Sequence, residues 1–252
     1  MKKHRRVLFV GESWIKHTIH MKGFDHFVSV EYQEGAGFFL KCLNEAGFEV
    51  KYVRAHEVSD EFPASAEELA RYEVVVISDI GSNSFLLTNE TFLRSKISAN
   101  RLELVTDFVR NGGGLVKIGG YMSFTGIDGR ARYGMSPLAA VLPVEMLPFD
   151  DRIEIPEGVI PEVICAGHDS IGDTPAAWPK LLGYNRTVAK AGATVIAKVG
   201  DDPLLVVDTV GQGRVLVFTS DVAPHWAPAE FMEWRHYAGL WTSMLEWAAK
   251  RQ

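Results

Sequence analysis

Three stretches of this chain place titratable side chains beside glycines directly after short apolar runs. The first is Gly11-Glu12-Ser13-Trp14, followed by His17, His20, Lys22, Gly23, Asp25 and His26. The second is Gly119-Gly120-Tyr121-Met122-Ser123-Phe124-Thr125-Gly126, and the third is Ser220-Asp221-Val222-Ala223-Pro224-His225-Trp226. A weaker fourth is Ser78-Asp79-Ile80-Gly81-Ser82-Asn83. Glu12 has the chemistry of a general base or of an acceptor for a ligand hydroxyl, and equally of a structural partner for an arginine. His225 suits proton transfer near neutral pH; its alternative is a core histidine bonded to backbone. Asp221 would cap its turn or orient a neighbour. Tyr121 and Ser123 would hydrogen-bond a substrate, Trp14 or Trp226 would wall it, and Ser13, Gly119 and Gly120 complete the expected binding set. His17 and His20, three apart with Asp25-His26 beyond, admit a metal site, but a solvated loop accounts for them as well. Neither a metal nor a cofactor is expected. Gly112-Gly113-Gly114 precedes a strand, and Gly119-Gly120 lacks the G-x-G-x-x-G order, so neither reads as a phosphate cradle.

The elements that must position these residues alternate between strand and helix. Arg6 to Val10, Glu49 to Val53, Val74 to Ile77 and Leu115 to Ile118 read as buried strands. Phe38, Phe39, Cys42, Leu43 and Ala46 follow helical spacing up to Gly47, Glu67 to Arg71 makes a short helix, and Leu102, Val105, Phe108 and Val109 make another stripe. Strands apolar on both faces, alternating with helices, predict a doubly wound, mostly parallel α/β sheet with helices on both faces. Ligands of such sheets sit outside the carboxyl ends of the strands, where all four junctions would meet. Residues 142–210 read as a β-rich insertion or edge section within a single domain spanning 1–252. Ala193 to Val199 and Pro203 to Val210 form a hairpin, Arg214 to Thr219 a further central strand. An aromatic helix from about Glu230 to Lys250 closes the chain, its Trp234, Tyr237, Leu240, Trp241, Met244 and Leu245 serving as core or as subunit interface.

Composition bounds the functions available. Among 252 residues, 26 Lys+Arg against 32 Asp+Glu give a net charge of −6, which argues against nucleic acid or an anionic membrane as partner. The 47% hydrophobic and 23% charged residues are those of a globular protein. Two cysteines, Cys42 and Cys165, make no disulfide framework and fit a reducing compartment. Met1-Lys2-Lys3-His4-Arg5-Arg6 has the charge of a secretory n-region, but the apolar run behind it, Val7 to Val10, is too short for an h-region, and no run reaches 18 apolar residues. A cytoplasmic location is expected.

The strings Gly11-Glu12-Ser13-Trp14, Ile118-Gly119-Gly120-Tyr121-Met122-Ser123-Phe124, Leu182-Gly183-Tyr184-Asn185 and Ala223-Pro224-His225-Trp226 resemble the glutamine amidotransferase-like family of bacterial cytoplasmic proteins. That family is a branch of the class I glutamine amidotransferase-like (flavodoxin-like) superfamily, related to ThuA-like trehalose-utilisation proteins. The resemblance runs over nearly the whole chain and implies the same fold. Class I glutaminases carry a Gly-x-Cys-x-Gly elbow whose cysteine is activated by a histidine and a glutamate. Laid on this chain, the elbow falls on Gly119 to Ser123 with Tyr121 at the nucleophile position, and no slip of one or two residues produces a cysteine. The histidine maps to His225, but Ala227 stands where the glutamate would be, and Glu230 is the next carboxylate. The resemblance therefore implies the fold and its cleft without a Cys-His-Glu glutaminase. The expected function is binding or processing of a small polar molecule, sugar-like or glutamine-like, by a homo-oligomer, with Glu12, His225 and Tyr121 at the centre. The alternative is a non-catalytic ligand-binding module or a subunit of a larger assembly.

Overall fold

A computed structural model describes residues 5–250; the basic residues 1–4 lie outside it. The chain runs through β1 (Arg6–Gly11), β2 (Ser13–Lys22), β3 (Asp25–Glu34), β4 (Glu49–Val53), β5 (Val74–Ser78), β6 (Gly114–Ile118) and β7 (Val144–Met146). It continues through β8 (Arg152–Val159), β9 (Glu162–Val163), β10 (Leu181–Asn185), β11 (Thr187–Ala189), β12 (Thr194–Val199), β13 (Asp202–Val210) and β14 (Gly213–Phe218). Eight strands form one sheet in the order β4-β1-β5-β6-β14-β13-β12-β9. The first five are parallel and the last three antiparallel. From β1 the chain first goes outward to β4, then crosses back to β5 on the other side. The topological switch point therefore lies between β1 and β5, where the connecting segments leave on opposite faces and open a crevice.

The strands at the centre are apolar on both sides because each side meets a separate core. Val7, Phe9, Val116, Ile118, Leu216 and Phe218 face the helices Gly37–Glu45 and Tyr237–Ala248. Leu8, Val10, Val75, Ile77, Leu115, Val215 and Val217 face the helix Arg101–Arg110 and the long loop after β6. The expected doubly wound parallel sheet is thus the architecture observed. Of the section 142–210, β7 with β11 and β8 with β10 make two small antiparallel ribbons, while β9, β12 and β13 extend the main sheet.

Two elements differ from expectation. The aromatic C-terminal segment is two helices, Ala229–Met232 and Tyr237–Ala248, not one from Glu230. Phe231 stacks over Phe218 at 6.2 Å and Trp241 meets the same ring edge-on at 5.3 Å. In one continuous helix those residues would lie about 15 Å apart along the axis, so the break is what lets both reach Phe218. Tyr237, Leu240, Trp241, Met244 and Leu245 are buried inside this chain, which resolves their role as core. The second difference is residues 13–34. They form a two-stranded ribbon, β2 with β3, in unbroken register from Ser13 opposite Glu34 to Lys22 opposite Asp25. His17 and His20, three apart on a strand, point to opposite faces, so the metal pairing considered for them is geometrically unavailable. Among the described residues no three His, Cys, Asp or Glu side chains converge to hold a metal ion.

Candidate functional site

Neighbouring strands β1 and β5 each end by turning an acidic residue into the left-handed region, Glu12 at φ 50° and Asp79 at φ 37°. Such a backbone costs a non-glycine residue about 1–2 kcal/mol and persists only where its surroundings enforce it. Here the enforcement is visible. A Cβ on Gly11 would lie 1.7 Å from the Ser78 carbonyl oxygen, so the two strand ends touch backbone to backbone. Gly120, at φ 129°, brings the loop after β6 so close that a Cβ there would lie 2.7 Å from the Asp79 carboxyl. The strain sits at the switch point, where the sheet's crevice opens.

Asp221, from the loop after β14, completes a trio of carboxyls with Glu12 and Asp79. Glu12 and Asp221 are buried, and Asp79 is partly exposed. Ser78 Oγ donates to Glu12 Oε1, the Ala223 N–H donates to Asp221 Oδ1 at 3.0 Å, and the Met122 N–H donates to Asp79 Oδ1 at 2.6 Å. Burial drives all three pKa values upward. Glu12 is raised well above the carboxylate range, first by burial and then by the charges of Asp221 and Asp79. Asp221 is pushed up to about 8 by burial and by Asp79, and Asp79 is raised by burial against the opposing Met122 N–H. Asp221 Oδ2 receives no N–H or O–H from the protein's ordinary donors, and its carboxyl neighbour is Glu12. The pair is satisfied when one of the two carries a proton, which the raised pKa values supply at neutral pH.

His225 stands over this pair at the solvent side. Its Nδ1 lies 4.0 Å from Asp221 Oδ2, and its side chain is 43% exposed. The imidazole is flanked by Trp14 at 5.5 Å and by Tyr121, stacked, at 5.4 Å. Tyr121 in turn carries the Arg152 guanidinium over its ring at 4.7 Å and touches Trp226 at 5.6 Å. The ring of His225 is thereby held between aromatic walls, one edge toward the carboxyls and the other open.

Beneath the loop lies Lys117, wholly buried in β6. Its Nζ donates to Ser123 Oγ at 2.7 Å and to the Ile118 carbonyl at 3.0 Å, and it sits 4.6 Å from the Tyr133 ring centroid. Burial pulls its pKa down to about 7 in spite of Asp79, Glu12, Asp151 and Asp221 nearby. The same loop is fastened from the side by Asp151, which accepts from the N–H groups of Thr125 and Gly126 at 2.9 Å each and from Asn185 Nδ2 at 2.8 Å. Asn185 Oδ1 accepts the Gly120 N–H at 3.0 Å. Phe124, Asp128 and Arg132 all have positive φ within this loop, so its shape is imposed by these contacts.

The structure brings Glu12, Trp14, Tyr121, Asp221 and His225 together. The remaining predicted residues lie around them in supporting positions. Ser13 Oγ accepts the Ala55 N–H at 2.8 Å, Ser123 Oγ donates to the Ile118 carbonyl at 2.7 Å, and Trp226 donates from Nε1 to Glu154 at 2.9 Å while buried. Gly119 gives its N–H to the Phe218 carbonyl at 2.8 Å. Tyr121, at the position of the elbow nucleophile, enters an irregular loop instead of a helix, and the positive φ falls on Gly120 before it. Neither cysteine is near: Cys42 donates to the Ala238 carbonyl inside the core with its thiol pushed up to about 12, and His168 Nδ1 beside Cys165 is occupied by Ser170. Sequence reasoning passed over Lys117 and Asp151 and gave Asn185, which ends one of the strings that carry the family resemblance, no role of its own. Lys117 carried a signal, being the one charged residue in Gly114-Leu115-Val116-Lys117-Ile118, a strand otherwise apolar on both faces.

On the far side of the loop lies a cavity of about 830 Å³, whose lining includes Met122, Thr125, Arg130 and Arg132. Met122 thus separates it from Asp79, to which its own N–H is bonded.

A doubly wound sheet with an elbow-like loop after β6 and a histidine after β14 defines an amidotransferase-like α/β protein. The chain belongs to the GATase1_like family, described as "Putative glutamine amidotransferase", whose pattern matches residues 6–250. It is similar to a cytoplasmic protein, STM3548, from Salmonella typhimurium, at 48% identity, with 96% of this chain and 98% of that one covered and a TM-score of 0.93. A second cytoplasmic protein, STM1381 from Salmonella typhimurium LT2, matches at 48% identity over 97% and 100% of the two chains, with a TM-score of 0.94. A ThuA-like protein from Parabacteroides merdae shares the fold at 12% identity and a TM-score of 0.62, covering 98% of this chain and 91% of that one. No curated protein matches. Among the described residues, no helix is long and apolar enough to cross a membrane.

Proposed function

We propose that this protein binds a small polar molecule over the open edge of His225 and moves a proton to or from it, with Asp221 and Glu12 acting behind the imidazole. The reading rests on one observation above all: a buried carboxyl oxygen, Asp221 Oδ2, with no ordinary donor of its own, faces Nδ1 of a half-exposed histidine. Asp221 is itself fixed by the Ala223 N–H, so it can hold the ring with Nε2 turned outward. When His225 takes a proton from the ligand, the imidazolium is stabilised by the negative charge of the Glu12–Asp221 pair, which keeps the single proton it shares. Trp14 and Tyr121 wall the ligand and hold the imidazole in place, and Asp79, partly exposed at the crevice, accepts from a ligand hydroxyl or amine. This is acid–base chemistry, distinct from the acyl-cysteine chemistry of glutaminases, for which the cleft offers no thiol. Its setting is the cytoplasm, in keeping with the names of the two Salmonella relatives.

The test is a thermal-shift screen of the purified protein against sugars, sugar acids, glutamine, glutamate and nucleotides, with wild type beside His225→Gln. A ligand at 100 times its Kd stabilises a folded protein by about 2.7 kcal/mol, a rise of roughly 2–4 °C for a chain of this size. The expected result is a shift from a polar small molecule in wild type that His225→Gln loses while its own unliganded midpoint stays in place. A compound that shifts both proteins equally binds elsewhere and overturns the assignment. Turnover of the compound, absent in His225→Gln, would carry the reading from binding to catalysis.

A further inference from the structure

The ribbon of β2 and β3 stands apart from the sheet, and its two faces are built differently. Side chains alternate along each strand, so Trp14, Lys16, Thr18, His20 and Lys22 share one face with Gln33, Glu31, Ser29, Phe27 and Asp25. That face is complete in itself. Trp14 Nε1 donates to Gln33 at 3.0 Å, Lys16 stands opposite Glu31 and Lys22 opposite Asp25. His20 stacks on Phe27 at 4.3 Å and reaches Ser29 Oγ at 3.0 Å. The other face carries Ile15, Ile19, Met21, Val28, Val30 and Tyr32, which are 46–69% exposed, with the exposed His17 and His26 between them, and at the tip Phe24 is fully exposed. An isolated two-stranded ribbon is marginal in water, and a contiguous apolar face of this kind marks an interaction surface.

We propose that the ribbon 13–34 is a dimerisation arm, its apolar face closing on the same face of a second copy of this chain. Three features select a second copy as the occupant. The face is self-complementary, since identical alternating apolar rows interdigitate about a two-fold axis without an opposing charge pattern on the partner. Lys16 and Lys22 stand opposite Glu31 and Asp25 on the other face and Glu34 is paired with Arg54, so apart from His17 and His26 the apolar face carries no group to recruit an oppositely charged protein. The area is sufficient: six such side chains at roughly 100 Å² each, taken on both arms, bury about 1,200 Å², the lower end of a specific interface. The aromatic C-terminal helix, the other surface considered for assembly, is spent in the core. Because Trp14 lies at the base of β2 and packs on His225, the assembly would also fix one wall of the cleft.

The experiment is sedimentation equilibrium or light scattering on the full chain and on two paired variants. Ile19 and Val28 lie opposite one another on the apolar face, Thr18 and Ser29 opposite one another on the polar face. Wild type is expected at about 56 kDa, twice the 28.0 kDa chain, or at an even multiple. Ile19→Lys/Val28→Lys should halve that mass and leave the far-UV circular dichroism and the thermal unfolding cooperative. Thr18→Lys/Ser29→Lys should leave it unchanged. A wild-type mass of one chain, an odd-numbered assembly, or an assembly that responds to both pairs or to neither overturns the proposal.

Discussion

Replacing Lys117 with Met tests whether the amine under the loop is neutral in the folded protein. With its pKa lowered to about 7, Lys117 sheds its proton in the fold while the unfolded chain keeps one up to about pH 10.4. Between those values the unfolded state binds more protons, so this group makes stability rise with pH; below about 7 both states are protonated and its contribution is flat. Each pH unit is worth about 1.4 kcal/mol, which bounds the whole effect at about 4–5 kcal/mol. Methionine keeps the length of the side chain, and Ser123 Oγ retains its own bond to the Ile118 carbonyl, so the substitution removes the titration without orphaning a polar atom. Urea unfolding of wild type and Lys117→Met at pH 7.5 and 9.5 gives the difference between the two proteins, in which other titrating groups cancel. That difference should move in favour of Met by about 2–3 kcal/mol as the pH falls from 9.5 to 7.5. Parallel profiles would refute the reasoning. They would mean that Lys117 stays charged and serves as counter-ion to the carboxyls around it, Asp79, Glu12, Asp151 and Asp221.

Other outcomes follow from the same geometry. The raised pKa of Asp221 gives stability that is complete below about pH 4 and is lost as the pH climbs toward 8, on the order of 1 kcal/mol per unit; Asp221→Asn should flatten that slope in denaturant melts taken from pH 4.5 to 8, and an unchanged slope would assign the proton elsewhere. His225→Ala should leave the thermal midpoint within a few degrees while weakening any ligand response, whereas a large loss of stability would make it a core residue. Gly120→Ala should cost about 1–3 kcal/mol, because φ 129° is hostile to a side chain and the new methyl meets the Asp79 carboxyl; a calorimetric midpoint equal to wild type would show the loop to be looser than drawn. Iodoacetamide should label Cys165 well before Cys42, whose buried thiol is held up to about 12; equal rates by mass spectrometry would contradict that burial.

The sheet was legible because its central strands lie between two cores, leaving runs such as Val74-Val75-Val76-Ile77 with no polar face. The carboxyl-end junctions followed from topology alone, which is why Glu12, Asp221 and His225 were reachable from sequence. The ribbon 13–34 was not. Its apolar face meets no core of this chain and carries His17 and His26 among its aliphatic side chains, its opposite face holds Lys16, His20 and Lys22, and the alternation is diluted until it reads as a solvated loop. The one clear signal was Lys22-Gly23-Phe24-Asp25, a two-residue hairpin connection with glycine first and φ 66° there. The roles of Asp151 and Asn185 were illegible for a different reason: they act through bonds to the backbone of a loop 25 to 65 residues away, and no local pattern announces such a contact.

The empty nucleophile position and the protonated carboxyl pair belong to one design. A thiolate at an elbow needs a cationic histidine beside it and an ionised carboxylate behind, an arrangement that keeps carboxyl pKa values low. Here the residue at the elbow is an aromatic stacked on the histidine, Ala227 occupies the place of the orienting glutamate, and carboxyls arrive instead from β1 and β5, buried and left-handed. Three carboxyls around one histidine, with the nearest buried lysine inclined to lose its charge, favour proton storage over anion generation. Restoring a cysteine by Tyr121→Cys would therefore place a thiol beside a histidine backed by a proton-holding carboxyl pair instead of by an ionised glutamate. Such a variant should show no glutamine hydrolysis and a slow, thiol-like reaction with iodoacetamide at pH 7; rapid alkylation with an apparent pKa well below 8 would show that the glutaminase electrostatics survive and that the carboxyl cluster has been misread.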